Sequence, residues 1–263
     1  REGKQHCQSG TPEFLAETIA AAKQMTKKSL LFRMDSGNDA LENMLLLHWH
    51  DPQLKFLIKH NFRREDRFTI AEELKTVCQN VKHPRDGKAV YIGSTWRNFE
   101  TEKDGSFAIR MVYEITERTT AADGQEMLFP ETEIDMYWTS LGVSDEEVIA
   151  LYHNHAVCEQ YHSEIKTDMG IERLPSGKFE TNALILKLTM IAYNILRIIG
   201  TAAMKGNDMP VRHSTIKRRR IRTVIDNLIL LAGHLTDHAR KLQLALGHSN
   251  GWICTFLRIA EAF

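Results

Sequence analysis

The sequence predicts an α/β protein with a β-rich central part and a helical C-terminal part. A short apolar run at residues 30–34 shows no alternation of polar and apolar side chains, which is typical of a strand covered on both faces. From Phe107 to Tyr113 every second residue is apolar, as in a half-buried antiparallel strand. Ser144 and Glu147 have the spacing of a capping box, which predicts the start of a helix.

Helices and strands alternate over the first sixty residues. Thr11 can cap a helix whose first position is Pro12, and Asn38 can cap a second helix after the Ser36-Gly37 turn. The predicted elements are a helix at 12–24, a strand at 30–34, a helix at 39–47 and a strand at 54–59. This order is that of a βαβ arrangement.

The pattern changes after residue 68. A helix at 70–77 precedes strands at 89–96, 107–116 and 134–140, and the turns between them are predicted at Asp104-Gly105 and Asp123-Gly124. Later elements are a loop at 168–178, a long apolar helix from Ala183, a helix at 221–231, a possible strand at 242–246 and a helix at 252–262. Polar residues interrupt the long apolar helix, so a buried core helix is predicted there rather than a membrane span.

The composition is that of a globular chain with no overall excess of basic residues. The 263 residues are 43% hydrophobic, which is ordinary for a globular chain, and 34 basic residues balance 34 acidic ones. DNA binding would therefore rely on local basic patches. These are Lys55, Lys59, Arg63, Arg64 and Arg67, and Arg212, Lys217, Arg218, Arg219, Arg220 and Arg222. A solvated basic face is an equally common reason for such runs.

The cysteines and the first thirty residues indicate a cytoplasmic protein. The four cysteines are far apart and form no Cys-x-x-Cys pair, which argues against a zinc ribbon and a disulfide scaffold. The first thirty residues lack the continuous apolar core of a signal peptide.

One helix, predicted to run from 144 to 166, places four functional side chains on one face. Tyr152, His155, Glu159 and Lys166 fall within about 60° of one another at 100° per residue. Their spacing resembles the Tyr-x2-Arg-x3-Glu-x6-Lys signature of a large group of bacterial insertion-sequence transposases, with His155 in place of the arginine. The resemblance implies an RNase H-like catalytic core in which Glu159 is the last acid of an Asp-Asp-Glu triad.

A second segment carries the same resemblance. Asp35 follows the apolar strand and precedes a Ser-Gly turn, like the second acid of that family, and it stands 124 residues before Glu159. The resemblance implies that this gap holds a β-rich insertion. It divides the chain into the second half of the core (1–67), the inserted β-rich subdomain (68–141), the catalytic helix with the following core helix (142–210) and a basic C-terminal segment (211–263).

The family's first catalytic aspartate has no counterpart in this sequence. The only acids before Asp35 are Glu2, Glu13 and Glu17, and the last two lie in the predicted first helix. The RNase H-like core is therefore expected to be incomplete and the chain to be an N-terminally truncated transposase. Its strand at 30–34 would then lie at a sheet edge, where an apolar strand favours aggregation.

The resemblance also implies the chemistry and the partners. Asp35 and Glu159 would hold two Mg²⁺ or Mn²⁺ ions, which prefer oxygen ligands. The intact enzyme would hydrolyse a phosphodiester at each element end and transfer the freed strand into target DNA, acting as a homodimer on terminal inverted repeats. The expected DNA-binding residues are Tyr152, His155, Lys166, Arg63, Arg64, Arg218, Arg219 and Arg220.

Other interpretations of the same residues stay open. A truncated remnant could be catalytically inactive and retain at most DNA binding or dimerisation. His153-Asn154-His155 spells a nuclease motif, although that motif normally spans a hairpin and a helix. Two zinc sites are also conceivable, one of His153, Glu159 and His162 and one of His48 and His50. Asp35 alone could simply cap its turn.

Overall fold

A computed structural model describes residues 8–101, 105–121, 123–154, 156–210, 218–238, 240–247 and 250–262. The chain divides into two compact units, Arg1–His155 and Ala156–Phe263. Each unit has its own apolar core and is described by itself.

The first unit is a mixed α/β layer structure. Its elements are α1 (Thr11–Met25), β1 (Leu30–Met34), a 3₁₀ turn (Ser36–Asn38), α2 (Leu41–His50), β2 (Leu54–Lys59), α3 (Arg67–Val77), β3 (Asn80–Arg85), β4 (Lys88–Thr101), β5 (Gly105–Thr120), β6 (Glu126–Thr139) and α4 (Asp145–His153). Six strands form one sheet in the order β1-β2-β6-β5-β4-β3. β1 and β2 are parallel, and the other neighbours are antiparallel.

The two faces of this sheet are covered by different helices. α1, α2 and α3 pack on one face, where Ile19, Leu47 and Phe56 are almost completely buried. α4 covers part of the other face, where Val148 packs with residues of β2, β4, β5 and β6 such as Leu57. The sheet therefore has a helical layer on each side, and the predicted βαβ arrangement at residues 30–59 is present as β1-α2-β2.

β1 lies at an edge of the sheet, as the sequence predicted. Its prediction as a strand covered on both faces was wrong, because the side chain of Leu31 is 37% exposed. The reason is positional: the apolar residues of α4 pack on β2 and the strands beyond it, while α4 reaches β1 through the hydrogen bond from Arg33 to the carbonyl oxygen of Leu151. Met34, whose side chain points to the other face, is buried.

The strands of residues 80–139 join β2 and β1 in the same sheet. β6 pairs with β2 through Leu57 and Thr139, so no separate sheet forms in this stretch. The division of the chain at 67 and 141, and the description of the stretch as an insertion, stay predictions. The Asp123-Gly124 turn is present, and Gly124 has the positive φ of 88° that favours glycine. Asp104 lies outside the described residues.

The second unit is mainly helical. It contains α5 (Ala156–Ser163), a π-helical turn (Glu164–Asp168), α6 (Phe179–Met204), α7 (Ile221–Val224), a second π-helical turn (Ile225–Ile229), a hairpin of β7 (Gly233–His238) and β8 (Lys241–Leu246), and α8 (Ile253–Ala262). Its core lies where α6, α7 and α8 meet, around Ala203, Val224 and Ile259.

Three sequence predictions need correction. The helix predicted from 144 to 166 is broken, because α4 ends at His153 and α5 starts at Ala156. His153 and Asn154 are both weak helix formers. Asn38 does not cap α2, which begins at Leu41 after Ala40. Strands β3 and β7 were not predicted.

α6 is less buried than the sequence predicted. Thr189, Tyr193, Gly200 and Ala203 are its buried residues, and apolar side chains such as Ile191 are more than half exposed. Its length and composition would allow it to cross a membrane, which for a single helix is weak support for a span.

Candidate functional site

Asp35 lies at the carboxyl end of β1, where α/β sheets commonly carry their chemistry. Its Oδ1 accepts hydrogen bonds from the backbone N–H of Gly37, at 3.1 Å, and from Nδ2 of Asn38, at 2.7 Å. These bonds make Asp35 the cap of the 3₁₀ turn, which is the structural role that the sequence left open. The side chain is exposed, so its carboxylate also faces solvent.

An ionic cluster lies at the carboxyl end of the neighbouring strand, β2, in which His60 and Asp39 are buried and Glu65 is 37% exposed. The imidazole of His60 contacts Asp39 Oδ2 through Nδ1, at 2.8 Å, and Glu65 Oε2 through Nε2, at 2.7 Å. Burial alone would lower the pKa of His60, but the two carboxylates outweigh it and raise that pKa. A doubly protonated ring can donate to both carboxylates. His60 is therefore best described as an imidazolium between two acids.

No pattern in the sequence predicts this cluster. Asp39 and His60 are 21 residues apart, and they meet only because β1 and β2 pair in parallel. Asp39 Oδ2 also accepts a 2.7 Å hydrogen bond from the N–H of Asn61, which fixes the start of the loop after β2.

A cavity of about 570 Å³ lies next to the cluster and contains two of the predicted DNA-binding residues. Its walls are Asp39, Ala40, Leu41, Met44, His60, Asn61, Phe62, Arg63, Arg64, Glu65, Arg97, Phe99 and Trp138. Arg63 has a left-handed φ of 48° and donates from Nη2 to the carbonyl oxygen of Asp39, at 2.6 Å. Arg64 is exposed. The strained loop thus holds the guanidinium of Arg63 against the cluster, and both arginines are exposed.

Tyr152 is positioned inside the first unit. Its ring centroid lies 4.6 Å from that of Tyr137, a fully buried residue of β6. The neighbouring carbonyl of Leu151 accepts a 2.7 Å hydrogen bond from Arg33 of β1. α4 is therefore tied to the sheet at the residues that open the signature. His155, the next signature position, lies outside the described residues.

Glu159 and Lys166 belong to the second unit and are both exposed. Glu159 lies in α5, and Lys166 lies at the centre of the π-helical turn that follows. The π geometry is visible in the 3.1 Å bond from Met169 N–H to the carbonyl oxygen of Glu164, five residues earlier. Such turns are frequent at functional sites.

Two buried acids flank Lys166, and the sequence analysis missed both. Glu164 is 1% exposed and accepts bonds from Tyr193 Oη and Arg218 Nη1, both at 2.8 Å. Burial and the hydrogen bond to this carboxylate raise the pKa of Tyr193 to about 12. Burial would raise the pKa of Asp168, but hydrogen bonds from Arg220 and the N–H of Arg222 outweigh it and lower that pKa.

The three predicted DNA-binding arginines of this unit all have partners within the chain. Arg218 pairs with Glu164, and Arg220 holds Asp168 through two bonds of 2.8 and 2.9 Å. Arg219 lies over the ring of Trp252, with its guanidinium carbon 5.3 Å from the centroid. A predicted role of these arginines in binding DNA is not visible from their contacts, and it stays a prediction.

The alternative zinc site of His153, Glu159 and His162 finds no support in the described part of the chain, and the one of His48 and His50 stays a prediction. Among the described residues, no group of three or more His, Cys, Asp and Glu side chains could hold a metal ion. The ring of His48 is stacked on that of Phe107, with the two centroids 6.4 Å apart. Among the cysteines that the structure describes, Cys78 and Cys254 are free thiols.

The chemistry of the two predicted ligands suits a hard divalent cation. Asp35 and Glu159 are exposed carboxylates, and both side-chain hydrogen bonds to Asp35 end on Oδ1. Carboxylate oxygens are the ligands that Mg²⁺ and Mn²⁺ prefer. Asp35 lies in the first compact unit and Glu159 in the second.

Comparisons with known proteins identify the family. The family model of the transposase DDE domain group 1 matches residues 1–262, which is nearly the whole chain. Comparison with individually curated proteins gives no match.

Proposed function

The chain belongs to the transposase DDE domain group 1 family, and from this we propose that it is the transposase of a bacterial insertion sequence. DDE transposases act on DNA and generally use divalent metal ions. In our proposal the enzyme hydrolyses a phosphodiester at each element end and joins the freed 3′ end to target DNA. It acts in the bacterial cytoplasm, on the nucleoid, as a homodimer that pairs two terminal inverted repeats.

The position of Asp35 carries this proposal. An exposed carboxylate at the carboxyl end of a parallel strand, directly before a tight turn, is well placed to hold a cation at the surface. The family match covers both Asp35 and Glu159. Together these observations favour a catalytic role over a turn cap alone.

Each proposed residue has a distinct task. Asp35 and Glu159 each supply oxygen ligands for Mg²⁺ or Mn²⁺. When bound, two such ions activate the attacking oxygen and stabilise the leaving one. Lys166 binds a DNA phosphate through its single positive charge. Arg64, in the loop after β2, contacts the phosphate backbone of the DNA. Tyr152, half-buried against Tyr137, can present only its outer edge to DNA.

The third acid of the triad is expected on a strand that pairs with β1. Among the described strands β1 lies at the edge of the sheet, where a further strand could pair with it. A parallel partner at this edge would end beside Asp35. The alternative function is an inactive remnant that lacks this acid and retains at most DNA binding or dimerisation.

Metal-dependent nicking tests the proposal. The substrate is a supercoiled plasmid that carries the DNA flanking the coding sequence in its native locus, incubated with Mg²⁺ or Mn²⁺. We expect Glu159→Gln and Asp35→Asn to abolish nicking, because each removes a charged metal ligand.

Two matched variants serve as controls. Asp66→Asn alters another exposed acid of the first unit with a capping role, since Asp66 is the N-cap of α3 and its Oδ1 accepts from the N–H of Phe68 at 3.0 Å. Glu180→Gln alters an exposed acid of the second unit. Both should nick like the unmodified chain. If the unmodified chain binds the plasmid yet shows no metal-dependent nicking, the remnant interpretation replaces the catalytic one.

A further inference from the structure

The π-helical turn at Glu164–Asp168 is held at both ends by one short segment of the chain. Glu164, at its first position, is bonded by Arg218 Nη1 and by the N–H of Ile221, at 2.8 and 3.4 Å. Asp168, at its last position, is bonded by Arg220 through Nε and Nη2, at 2.8 and 2.9 Å. Two anchors four residues apart leave the turn between them little freedom.

In both anchors the carboxylate side chain is shielded from solvent. The side chains of Glu164 and Asp168 are only 1% and 4% exposed. A buried carboxylate must be paired to stay ionised, so each acid needs its arginine. Each arginine is thus paired with a fixed carboxylate, although the side chain of Arg220 itself is 53% exposed and that of Arg218 is 21% exposed.

Lys166 lies midway between the anchors and is exposed. Its own carbonyl oxygen accepts a 3.0 Å bond from the N–H of Glu172, which ties the centre of the turn to the following loop. The backbone of Lys166 is thus fixed on three sides, and its ammonium group is presented to solvent.

We propose that Glu164, Asp168, Arg218 and Arg220 form a clasp that positions Lys166 to bind a DNA phosphate. This inference rests on the proposed DNA-binding function. In it Arg218 and Arg220 are positioning residues that act through Lys166. The direct alternative, in which these arginines themselves contact DNA, makes the opposite prediction for removal of their acidic partners.

Asp168→Asn separates the two alternatives. If Arg220 binds DNA, removing its acidic partner frees a cation, so affinity rises and the dependence of log K on log salt steepens by up to about 0.9. If the clasp positions Lys166, the same change lets the turn move, and affinity for an element-end duplex falls by about tenfold, the size expected for one charge-assisted hydrogen bond.

The chain offers a closely matched control. Asp208 forms the same two-bond pair with Arg258, at 2.8 and 2.9 Å, within the same unit. Asp208→Asn therefore removes the same charge and the same kind of ion pair away from the turn. We expect it to leave DNA affinity unchanged within about twofold. An equal fall in both variants would mean a general loss of structure and would overturn the clasp.

A double variant tests whether Asp168 acts through Lys166. Lys166→Gln should weaken binding and make the salt slope shallower by about 0.9, because one phosphate contact is lost. Adding Asp168→Asn to it should cause no further loss, since residues that act through one contact are not additive. Additive losses would contradict the clasp.

Hydrogen exchange of the DNA-free protein tests the clasp independently of the proposed DNA-binding function. Asp168→Asn should speed amide exchange at residues 164–170, whereas Asp208→Asn should not, and this readout needs no DNA. If the unmodified chain binds no DNA, the proposed function fails while the exchange result still judges the clasp. Unchanged exchange in Asp168→Asn would overturn it.

Discussion

The ion cluster around His60 should make the first unit less stable as the pH rises. His60 is 7% exposed and contacts two carboxylates, Asp39 and Glu65, at 2.8 and 2.7 Å. Burial disfavours its charged form, yet hydrogen bonds and attraction from both acids raise its pKa above the ordinary value of 6.5. The folded state therefore holds this proton more tightly than the unfolded chain does.

The sign and size of the pH effect follow from linkage. The stability that the proton contributes is complete below pH 6.5, where both states are protonated. It is lost as the pH rises from 6.5 through the raised pKa of folded His60, at a slope of at most about 1.4 kcal/mol per pH unit for one proton. Near pH 6, His60→Gln should lower the free energy of unfolding by about 3 kcal/mol, because it leaves two carboxylates facing each other without their cation.

Urea unfolding at half-unit steps from pH 5.5 to 8.5 tests this expectation. Trp138, whose ring centroid lies 5.5 Å from that of His60, supplies a fluorescence signal at the cluster. The unmodified chain and His153→Gln, which alters an exposed histidine of the same unit, should both show the slope. In His60→Gln the free energy of unfolding should fall less steeply with rising pH. Parallel pH profiles for the unmodified chain and His60→Gln would refute the reasoning.

Three further predictions follow from burial and exposure. Gly93→Ala should lower the free energy of unfolding by about 1–3 kcal/mol in a denaturant titration, because a Cβ would lie 2.3 Å from Oη of the buried Tyr113; wild-type stability would contradict the clash. Leu47→Ala should cost about 2–5 kcal/mol by the same measurement, since Leu47 is 0% exposed, and a cost below 1 kcal/mol would mean that this core is loosely packed. Leu128→Ser should change that free energy by less than about 0.5 kcal/mol, because Leu128 is 90% exposed on β6.

The strands that the sequence predicted best are those with a strong apolar pattern. β1 and β2 have the predicted bounds, because apolar runs between charged or turn residues have only one way to be buried. β3 was missed because its residues are polar and its side chains largely exposed. It exists through backbone pairing with β4, where Asn80 faces Ile92, and such pairing has no apolar signature in the sequence.

The start of the signature helix was predictable and its end was not. The capping box fixes the start, since Ser144 Oγ accepts from the N–H of Glu147 at 3.3 Å. No glycine or proline marks the break after His153, and periodicity alone carried the prediction through it. The sequence predicts the signature side chains on one face of a single helix. In the structure Tyr152 lies in α4 of the first unit, whereas Glu159 in α5 and Lys166 in the π-helical turn belong to the second unit.

The partners of the basic residues could not be predicted from the sequence, for a physical reason. A sequence shows where positive charges are, but their partners come from distant segments, such as Glu164 for Arg218. A run of arginines predicts DNA binding only if those side chains remain in solvent. Arg64 and Arg220 are both exposed, but Arg220 is also paired with Asp168, whose side chain is only 4% exposed, and the less exposed Arg218 is paired with the buried Glu164.

The acids of residues 159–168 fall into a buried group with a structural role and an exposed group that is available to bind a metal ion. Glu164 and Asp168 are buried, so the cost of desolvating their charges requires fixed arginine partners, and fixed partners make them structural. Glu159 is exposed, so its charge needs no partner in the protein to remain ionised. A carboxylate that is free of that requirement can exchange water for a metal ion at little cost. The same distinction separates Asp35 from the buried Asp39 four residues later, and it favours Asp35 and Glu159 as the ligands.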